Sequence, residues 1–386
     1  MWGGEQSAAT DDALSIRENL SRLIKATRGC MMRKTAIFKN DLFLLHDPGP
    51  NHPERVDRLR VIYDFIERAE HRNKFLFPEF EPADLAQLSR NHTGRLIDRI
   101  SKTSGKMYDY LDQDTATSAR SYEAALLAAG SVIKGVDMLA AGDIDNGFAL
   151  VRPPGHHAES DRSMGFCLFN NIAVAAHHAQ TAHNMKKIMI VDWDLHHGNG
   201  TQHSFYDSDK VLYVSTHQYP FYPGTGSLQE AGVAAGSGYT VNVPLPGGMG
   251  DAEYAAIFND IVVPVGRIYD PDLILVSAGF DIYHGDPLGS MSVKLAGFSY
   301  MTRLLVELAE QVCGGRLLVT LEGGYNLKGQ RDGSLAVLSE LLGEPIDEDG
   351  REFYLDDDSE ADLRQAHGSH PAIVNAREKT QSFWKF

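Results

Sequence analysis

The sequence predicts an α/β fold: a single domain of three layers, with a mostly parallel sheet between two layers of helices. Short apolar runs of strand length alternate with longer helical stretches, and this alternation produces parallel sheets that helices cover on both faces. Few polar residues interrupt the strand-like runs, which favours strands buried on both sides. With 386 residues, the chain is long enough to form one large core.

The elements follow in chain order from the spacing of the apolar residues. The predicted strands cover residues 35–38, 148–151, 188–191, 211–216, 239–244, 273–278 and 317–321. The predicted helices cover residues 122–141, 171–183, 251–269 and 293–313. In the last helix, Leu295, Phe298, Met301, Leu305 and Leu308 recur at helical spacing, and we interpret them as core residues.

Both ends of the chain are polar. We predict that residues 1–30 form a peripheral N-terminal extension, with a short helix at residues 15–27. Residues 346–386 are predicted to be an acidic C-terminal tail that packs on the domain or trails from it. Its most acidic part, residues 347–362, is interpreted as solvated surface or linker. The main domain then spans residues 31–345.

The composition indicates which binding partners and which cellular location to expect. A net charge of −16 disfavours a general nucleic-acid-binding surface. Cys30, Cys167 and Cys313 are widely spaced and odd in number, so we interpret them as reduced thiols in the cytoplasm. No apolar run approaches the ~20 residues of a membrane span, and the N-terminus lacks the apolar core of a signal peptide. We expect a cytoplasmic protein without nucleic-acid or membrane partners, and homo-oligomerisation stays open.

Polar, potentially catalytic residues follow four of the predicted strands directly. His156 and His157 follow the second strand, Asp192 follows the third, Asp281 follows the sixth, and Tyr325 follows the last. Ligands bind at the carboxyl ends of the strands in open α/β sheets. The four loops are therefore expected to bring their side chains to one edge of the sheet.

The segment after the third strand has the composition of a metal site. If the chain stays extended, Asp192, Asp194 and His196 point to the same side. Buried carboxylates are costly unless they are paired or bound to metal. Asp194 and His196 with Asp281 would give three ligands and an open position, as in catalytic zinc sites, although iron(II), manganese or cobalt also suit these ligands. The alternatives are a charged turn and, for Asp281, a helix N-cap.

Two further groups favour catalysis. The histidine pair follows Pro153, Pro154 and Gly155, and Asp192 and Asn199 can each hold one ring, so that one imidazole is charged and the other neutral. Tyr325 follows two glycines and can donate to a developing oxyanion. The alternatives are a surface turn for the histidine pair and a core position for the tyrosine.

Six motifs in this order resemble the histone deacetylase family. They are RPPGHHA at 152–158, GFCLFN at 165–170, DWDLHHGNG at 192–200, SAGFD at 277–281, GDPLG at 285–289 and LEGGYN at 321–326. The resemblance extends from about Phe38 to Leu342. It is closest to the class II enzymes and the bacterial deacetylase-like amidohydrolases, because Asn199 stands where class I enzymes have aspartate.

The resemblance implies the arginase-deacetylase fold and zinc-dependent hydrolysis of acyl-lysine amides. The family's metal ligands fall on Asp194, His196 and Asp281, its histidine dyad on His156 and His157, and its catalytic tyrosine on Tyr325. Asp192 and Asn199 would hold the dyad. Some class IIa enzymes have histidine at the tyrosine position and deacetylate poorly, so Tyr325 implies activity.

The resemblance also implies a narrow acyl-lysine tunnel. Gly165 and Phe166 match one wall. Tyr222 falls where the other wall is usually phenylalanine, which leaves the acyl preference open, and both aromatic residues have a core alternative. Leu288 lies near the expected rim, where polyamine-selective relatives can have glutamate. Asp114 is a candidate rim carboxylate, with a solvated loop residue as its alternative.

The family also binds structural potassium. By resemblance, one site would use Asp192, Asp194, His196, Ser215 and Thr216. A second would use backbone carbonyls near Phe205, Ser208 and Val211, together with Tyr239.

Three other functions stay open. The first is an acetylpolyamine or small-amide hydrolase of the same fold. An arginase-like enzyme would require further carboxylates where Gly198 and Tyr283 stand. A non-catalytic acyl-lysine binding module would not require His156, His157 and Tyr325.

Overall fold

The computed structural model describes residues 33–348 and 350–386. Residues 34–386 form one compact unit. The predicted N-terminal extension, its helix at residues 15–27 and Cys30 lie outside the described residues. The division into domains at residues 30 and 345 stays a prediction.

A seven-stranded sheet forms the middle layer, and every neighbouring pair of strands is parallel. The order across the sheet is β1-β4-β9-β8-β5-β6-β7. Almost all residues of these strands are buried, because they are apolar and helices pack on both faces. The strands are β1 (Thr35–Phe38), β4 (Asn146–Ala149), β5 (Ile188–Asp192), β6 (Val211–Gln218), β7 (Thr240–Leu245), β8 (Leu273–Ala278) and β9 (Leu317–Leu321).

Helices and short hairpins occupy the connections. The helices are α1 (Asp57–Ile66), α2 (Ala69–Arg72), α3 (Leu85–Leu88), α4 (Gly94–Ser101), α5 (Ser121–Ala141), α6 (Asn171–Ala182), α7 (Asn199–Phe205), α8 (Asp251–Ile257), α9 (Val263–Tyr269), α10 (Leu295–Val312), α11 (Leu327–Leu342), α12 (Asp357–Arg364) and α13 (Pro371–Gln381). A π-turn (Phe258–Val262) joins α8 to α9, and 3-10 turns cover Asp41–Leu45 and Ala234–Gly236. The two hairpins pair β2 (Asp109–Tyr110) with β3 (Ala116–Thr117) and β10 (Asp347–Glu348) with β11 (Arg351–Glu352).

The predicted fold class is confirmed, and each of the seven predicted strands has a counterpart in the sheet. The second strand begins earlier than predicted, at Asn146, because Asn146 and Gly147 pair with β1 and β9 although neither is apolar. The predicted helix at 251–269 is interrupted by the π-turn. The other helices of the described residues were not predicted: α1 to α4, α7, α11, α12 and α13.

One helix of the described chain, α5, is long and apolar enough to cross a membrane by length and composition. In this protein 67% of its apolar segment is buried inside the fold, as in an ordinary core helix.

The C-terminal segment is more ordered than its acidity suggests. The side chains of Phe353 and Leu355 are buried, and α12 begins at Asp357, whereas Asp356, Asp357 and Asp358 remain exposed. Helix α13 packs against β7. Beyond it, the indole of Trp384 donates to the backbone oxygen of Gly238 at 2.7 Å.

Candidate active site

Four loops meet at one edge of the sheet because their strands are neighbours. Strands β4, β9, β8 and β5 lie side by side, and the loops after them contain His156, Tyr325, Asp281 and Asp194, respectively. Because the strands are parallel, their carboxyl ends share this edge, as the sequence predicted.

The carboxylates of Asp194 and Asp281 converge on the ring of His196. The Nδ1 atom of His196 lies 3.2 Å from Asp194 Oδ1 and 3.2 Å from Asp281 Oδ2. The candidate ligand atoms of the three residues all lie within 4.8 Å of one another, and the side chains are almost fully buried. Burial and the neighbouring Asp194 raise the pKa of Asp281 to about 7. Although burial disfavours a charged ring, hydrogen bonds with Asp194 and Asp281 raise the pKa of His196 to about 9. At neutral pH the cluster therefore holds protons that a bound cation would replace.

The surroundings of this cluster fit a bound cation. Backbone amides occupy the other carboxylate oxygens: Gly323 donates to Asp194 Oδ2 at 2.8 Å, and Leu195 donates to Asp281 Oδ1 at 2.9 Å. Asp194 Oδ1 also accepts a hydrogen bond from the backbone N–H of His196 at 2.9 Å. Asp194 Oδ1 and Asp281 Oδ2 are the oxygens that face the His196 ring, and they are the candidate ligand atoms. A Cβ atom on residue 323 would lie 2.4 Å from Asp281 Oδ2 and 2.6 Å from Asp194 Oδ2, so glycine leaves the space that the cluster needs.

Two other groups in the described chain have metal-ligand composition, but their donor atoms are engaged. The first group is His156, Cys167 and Glu322. Glu322 accepts hydrogen bonds through both oxygens, and burial raises the pKa of the Cys167 thiol well above its ordinary value, so the thiol keeps its proton. In the second, Asp137, His178 and His183 are close together, but Arg90 donates to Nδ1 of His178. The Nε2 atom of His178 then carries the hydrogen and donates to Asp137 instead of binding a metal.

The two histidines beside the cluster have different partners and different charge preferences. The Nδ1 atom of His156 is 3.1 Å from Asp192 Oδ2, and the Nδ1 atom of His157 is 2.8 Å from Asn199 Oδ1. Although burial disfavours a charged ring, Asp194 and Asp192 raise the pKa of His156 to about 10. Burial and the neighbouring His156 lower the pKa of His157 well below its ordinary value. The pair is thus divided into one charged and one neutral imidazole.

Glu322 holds the loop that presents this pair. Its Oε2 atom accepts hydrogen bonds from the backbone N–H groups of Gly155 at 2.6 Å and His156 at 3.1 Å. Its Oε1 atom accepts one from the hydroxyl of Ser277 at 3.0 Å. A buried carboxylate that bridges two loops gives the histidines a fixed backbone.

Tyr325 is held through its backbone and its ring. Its N–H donates to Asp286 Oδ2 at 2.7 Å, and the preceding Gly324 has a φ of +115°, a conformation that favours glycine. The guanidinium carbon of Arg58 lies 4.8 Å from the centre of the phenol ring. Burial raises the pKa of Tyr325 well above its ordinary value, so the phenol keeps its proton.

Two aromatic side chains lie next to these residues. The ring centre of Phe166 lies 5.9 Å from that of Tyr325, and the ring centre of Tyr222 lies 5.2 Å from that of His157 and 6.0 Å from that of His196. Tyr222 is 37% exposed, so it is a loop residue and not part of the core.

The remaining candidate tunnel residues are placed by hydrogen bonds near Phe166 and the Tyr325 loop. The N–H of Gly165 donates to Asp114 Oδ1 at 3.2 Å, which places Asp114 beside Phe166. Phe166 has a φ of +67°, rare for a bulky residue, and its own N–H donates to the Thr115 hydroxyl. Leu288 donates through its backbone to Asp286, the carboxylate that also holds Tyr325.

Comparison with known proteins identifies the family of this chain. The family model for the histone deacetylase domain matches residues 52–341. The chain belongs to the histone deacetylase family. It is 44% identical over 324 residues to histone deacetylase 15 of Arabidopsis thaliana, an alignment that covers 80% of this chain and 57% of that protein. It is also 39% identical over 298 residues to a probable deacetylase of Archaeoglobus fulgidus, covering 76% of this chain and 82% of the relative.

A solved histone deacetylase structure has the same fold. The crystal structure of the HDA15 HD domain matches with a TM-score of 0.81 and 41% sequence identity, covering 91% of this chain and 95% of that one. The chain spans 57% and 50% of the lengths of Arabidopsis histone deacetylases 15 and 5, respectively.

The residues of this chain that are candidate potassium ligands fall into two groups. In the first group, Asp192 of β5 is paired in register with Ser215 of β6, and Asp194 and Thr216 are buried. In the second group, Phe205 and Ser208 share a backbone hydrogen bond just before Val211 begins β6, and the backbone oxygen of Tyr239 accepts from Tyr213.

Sequence reasoning missed a buried ionic cluster behind Tyr325. Arg152 donates to both oxygens of Glu54, at 2.5 and 2.7 Å, and Arg58 donates to Glu54 Oε1 at 2.9 Å. Arg58 also donates to the backbone oxygens of Glu322 at 2.5 Å and Gly324 at 2.6 Å. The spacing of four residues between Glu54 and Arg58 is typical of an ion pair on a helix, but Glu54 lies before the start of α1, and nothing in the sequence links Arg58 to the Tyr325 loop.

Proposed function

We propose that this protein is a metal-dependent deacetylase that hydrolyses the amide bond between an acetyl group and the ε-amine of lysine. One observation carries the proposal: Asp194, His196 and Asp281 converge beside a histidine pair divided into a charged and a neutral ring. Family membership supports acetylated lysine as the substrate class.

Asp194, His196 and Asp281 would hold a divalent cation, which we propose to be zinc, with iron(II) or cobalt as alternatives. When bound, the cation supplies Lewis acidity that polarises the amide carbonyl and lowers the pKa of water.

His157 is suited to be the general base. Because Asn199 Oδ1 can only accept, the hydrogen of the neutral ring lies on Nδ1, and Nε2 retains its lone pair. Nε2 can therefore take a proton from the attacking water and later return it to the leaving amine. His156, held charged by Asp192 and Asp194, would stabilise negative charge that develops nearby.

Tyr325 is proposed to donate its phenol hydrogen to the oxyanion that forms when water attacks the carbonyl carbon. The raised pKa keeps that hydrogen in place at neutral pH. Phe166 and Tyr222 would surround the apolar stem of the lysine, and Asp114 and Leu288 would lie at the rim.

Four further assignments complete the proposal. Potassium would bind at Asp192, Asp194, His196, Ser215 and Thr216, and a second ion near Phe205, Ser208, Val211 and Tyr239. We propose a cytoplasmic location from the isolated cysteines. The acidic net charge favours a protein without nucleic-acid partners. The state of assembly is left open.

The test is the initial rate on acetyl-lysine peptide, longer acyl-lysine peptides, acetylputrescine and acetylspermidine, with metal content measured on the same sample. Turnover of peptide that a chelator abolishes and zinc restores is the expected result. Asp281→Asn should lose both metal and activity, whereas Asp137→Asn, in the distant cluster, should lose neither. Turnover of polyamines alone would instead support a polyamine deacetylase. A folded, metal-loaded protein without turnover on any substrate would contradict the proposal.

A further inference from the structure

The side-chain amide of Asn199 lies between His157 and a carboxylate that the proposed reaction does not use. Asn199 Oδ1 faces Nδ1 of His157 at 2.8 Å, and Asn199 Nδ2 donates to Glu159 Oε1 at 2.5 Å. The same Nδ2 atom has two weaker acceptors, the backbone oxygen of His157 at 3.3 Å and the sulfur of Met164 at 3.5 Å. Glu159 thus supplies the one charged acceptor that the structure gives this amide.

An asparagine amide can rotate by a half-turn, and the two orientations have opposite consequences here. In the observed orientation, Oδ1 accepts from His157, so the ring hydrogen is on Nδ1 and Nε2 is free to accept a proton. In the reversed orientation, Nδ2 would donate to His157 Nδ1. The ring hydrogen would then move to Nε2, and the neutral ring could not act as a base at that atom.

Glu159 destabilises the reversed orientation of the Asn199 amide. Rotation would bring Asn199 Oδ1 against the carboxylate of Glu159, and two acceptors in contact repel each other. The outer face of Glu159 is held by His203, whose Nδ1 atom lies 2.9 and 3.0 Å from the two carboxylate oxygens. The Glu159 side chain is 13% exposed, so water screens its contact with Asn199 only weakly.

We propose that Glu159 is a positioning residue that fixes the orientation of the Asn199 amide and, through it, the tautomer of His157. This inference rests on the proposed deacetylase function. Glu159 follows the histidine pair by two residues, but its partner Asn199 is 40 residues away, so the contact depends on the fold.

The first test compares Glu159→Ala with Glu159→Gln. The carbonyl of glutamine can still accept from Asn199 Nδ2, so Glu159→Gln should retain most of the turnover. Glu159→Ala should lower kcat on acetyl-lysine peptide by about 10- to 100-fold, as for loss of a hydrogen bond to a charged group, with KM roughly unchanged. His203→Gln, which alters only the outer partner, is the matched control and should keep its kcat. Equal losses of activity in the alanine and glutamine variants would contradict the proposal.

A double-mutant cycle separates positioning from a merely structural role. In Asn199→Asp, both side-chain oxygens are acceptors, so no orientation needs to be selected, and Glu159 only adds repulsion. Adding Glu159→Ala to Asn199→Asp should therefore leave kcat unchanged or raise it. A structural role predicts the same loss in both backgrounds, and that result would overturn the inference.

The tautomer can also be observed without turnover. In ¹⁵N-histidine-labelled protein, the His157 ring should be the Nδ1–H tautomer in the wild type and shift towards Nε2–H in Glu159→Ala. If the wild type has no peptide turnover, the deacetylase proposal fails, but this measurement still decides the role of Glu159. An unchanged tautomer in Glu159→Ala would contradict the proposed positioning.

Discussion

Arg58 contacts Tyr325 across 267 positions of sequence, with its guanidinium carbon 4.8 Å from the centre of the phenol ring. The same guanidinium group donates to the backbone oxygens of Glu322 and Gly324, on the loop that leads to Tyr325. One fully buried side chain therefore fixes both the ring and the backbone of the proposed oxyanion donor.

Arg58→Lys should lower kcat by roughly tenfold, because lysine cannot form the planar set of hydrogen bonds that the guanidinium group makes with two carbonyls and Glu54. The measurement is steady-state turnover, with thermal unfolding to confirm that the variant is folded. Arg60→Lys, at an exposed position of the same helix, is the control and should match the wild type. An unchanged kcat in Arg58→Lys would remove Arg58 from the support of Tyr325.

Tyr325→Phe should lower turnover by roughly 10²–10³, as for loss of one oxyanion donor. Binding of the metal should be unchanged, since the phenol is not one of the three proposed ligands. Tyr222→Phe makes the same chemical change in the proposed tunnel wall and should lower turnover only slightly. Near-wild-type turnover in Tyr325→Phe would exclude the proposed role.

Gly165→Ala should impair catalysis through crowding of His157. Gly165 has a φ of +57°, and an added Cβ would lie 2.4 Å from Cδ2 of His157. Displacing the ring by about 1 Å can cost on the order of 10²-fold in rate. Gly105→Ala is the matched control, since Gly105 also has a positive φ, of +76°, but no atom within 4 Å of the added group. Both variants should lose about 1–2 kcal/mol of stability from the positive φ. Gly165→Ala should lose about 1–3 kcal/mol more from the clash, and it alone should lose activity.

Glu54→Gln should reduce the free energy of unfolding at neutral pH and weaken its dependence on acid pH. Burial opposes ionisation of Glu54, but Arg152 and His46 hold its pKa well below the ordinary value of 4.5. The unfolded chain therefore binds the proton more readily. The stabilisation is present above pH 4.5 and is lost as the pH falls further.

Denaturant unfolding at a series of pH values measures this effect. At neutral pH the variant should be less stable by about 3–5 kcal/mol, because Arg58 and Arg152 lose a buried counter-charge. Below pH 4.5 the difference should shrink by about 1.4 kcal/mol per pH unit. Glu70→Gln, with a side chain that is 64% exposed, is the control. A difference that stays constant with pH would contradict the argument.

Much of the fold was predictable because its strands are apolar along their whole length. The strand at 188–191 needs no partner to be recognised, whereas Asn146 and Gly147 become strand residues only through pairing with β1 and β9. Helix α11 was missed for a related reason. It is buried on nearly every side, so it lacks the one-sided apolar pattern by which a helix is recognised.

The candidate site likewise has residues that the sequence predicts and residues that only the fold reveals. Residues that follow strands directly, such as Asp194 and Asp281, could be assigned to one edge because parallel strands align their ends. Arg58 and Glu159, by contrast, reach the site through contacts with residues such as Gly324 and Asn199, which are 266 and 40 residues away, respectively. No local pattern encodes these contacts, because they depend on how distant loops pack.

The position of β1 has a consequence for preparing shortened versions of the protein. The family match covers residues 52–341, but β1 lies at Thr35–Phe38 and pairs along its whole length with β4. A protein produced from residues 52–341 alone would leave the outer edge of β4 without hydrogen-bond partners. Such an edge invites pairing between molecules and aggregation. The boundaries for soluble expression are therefore set by the edges of the sheet and not by the limits of the family match.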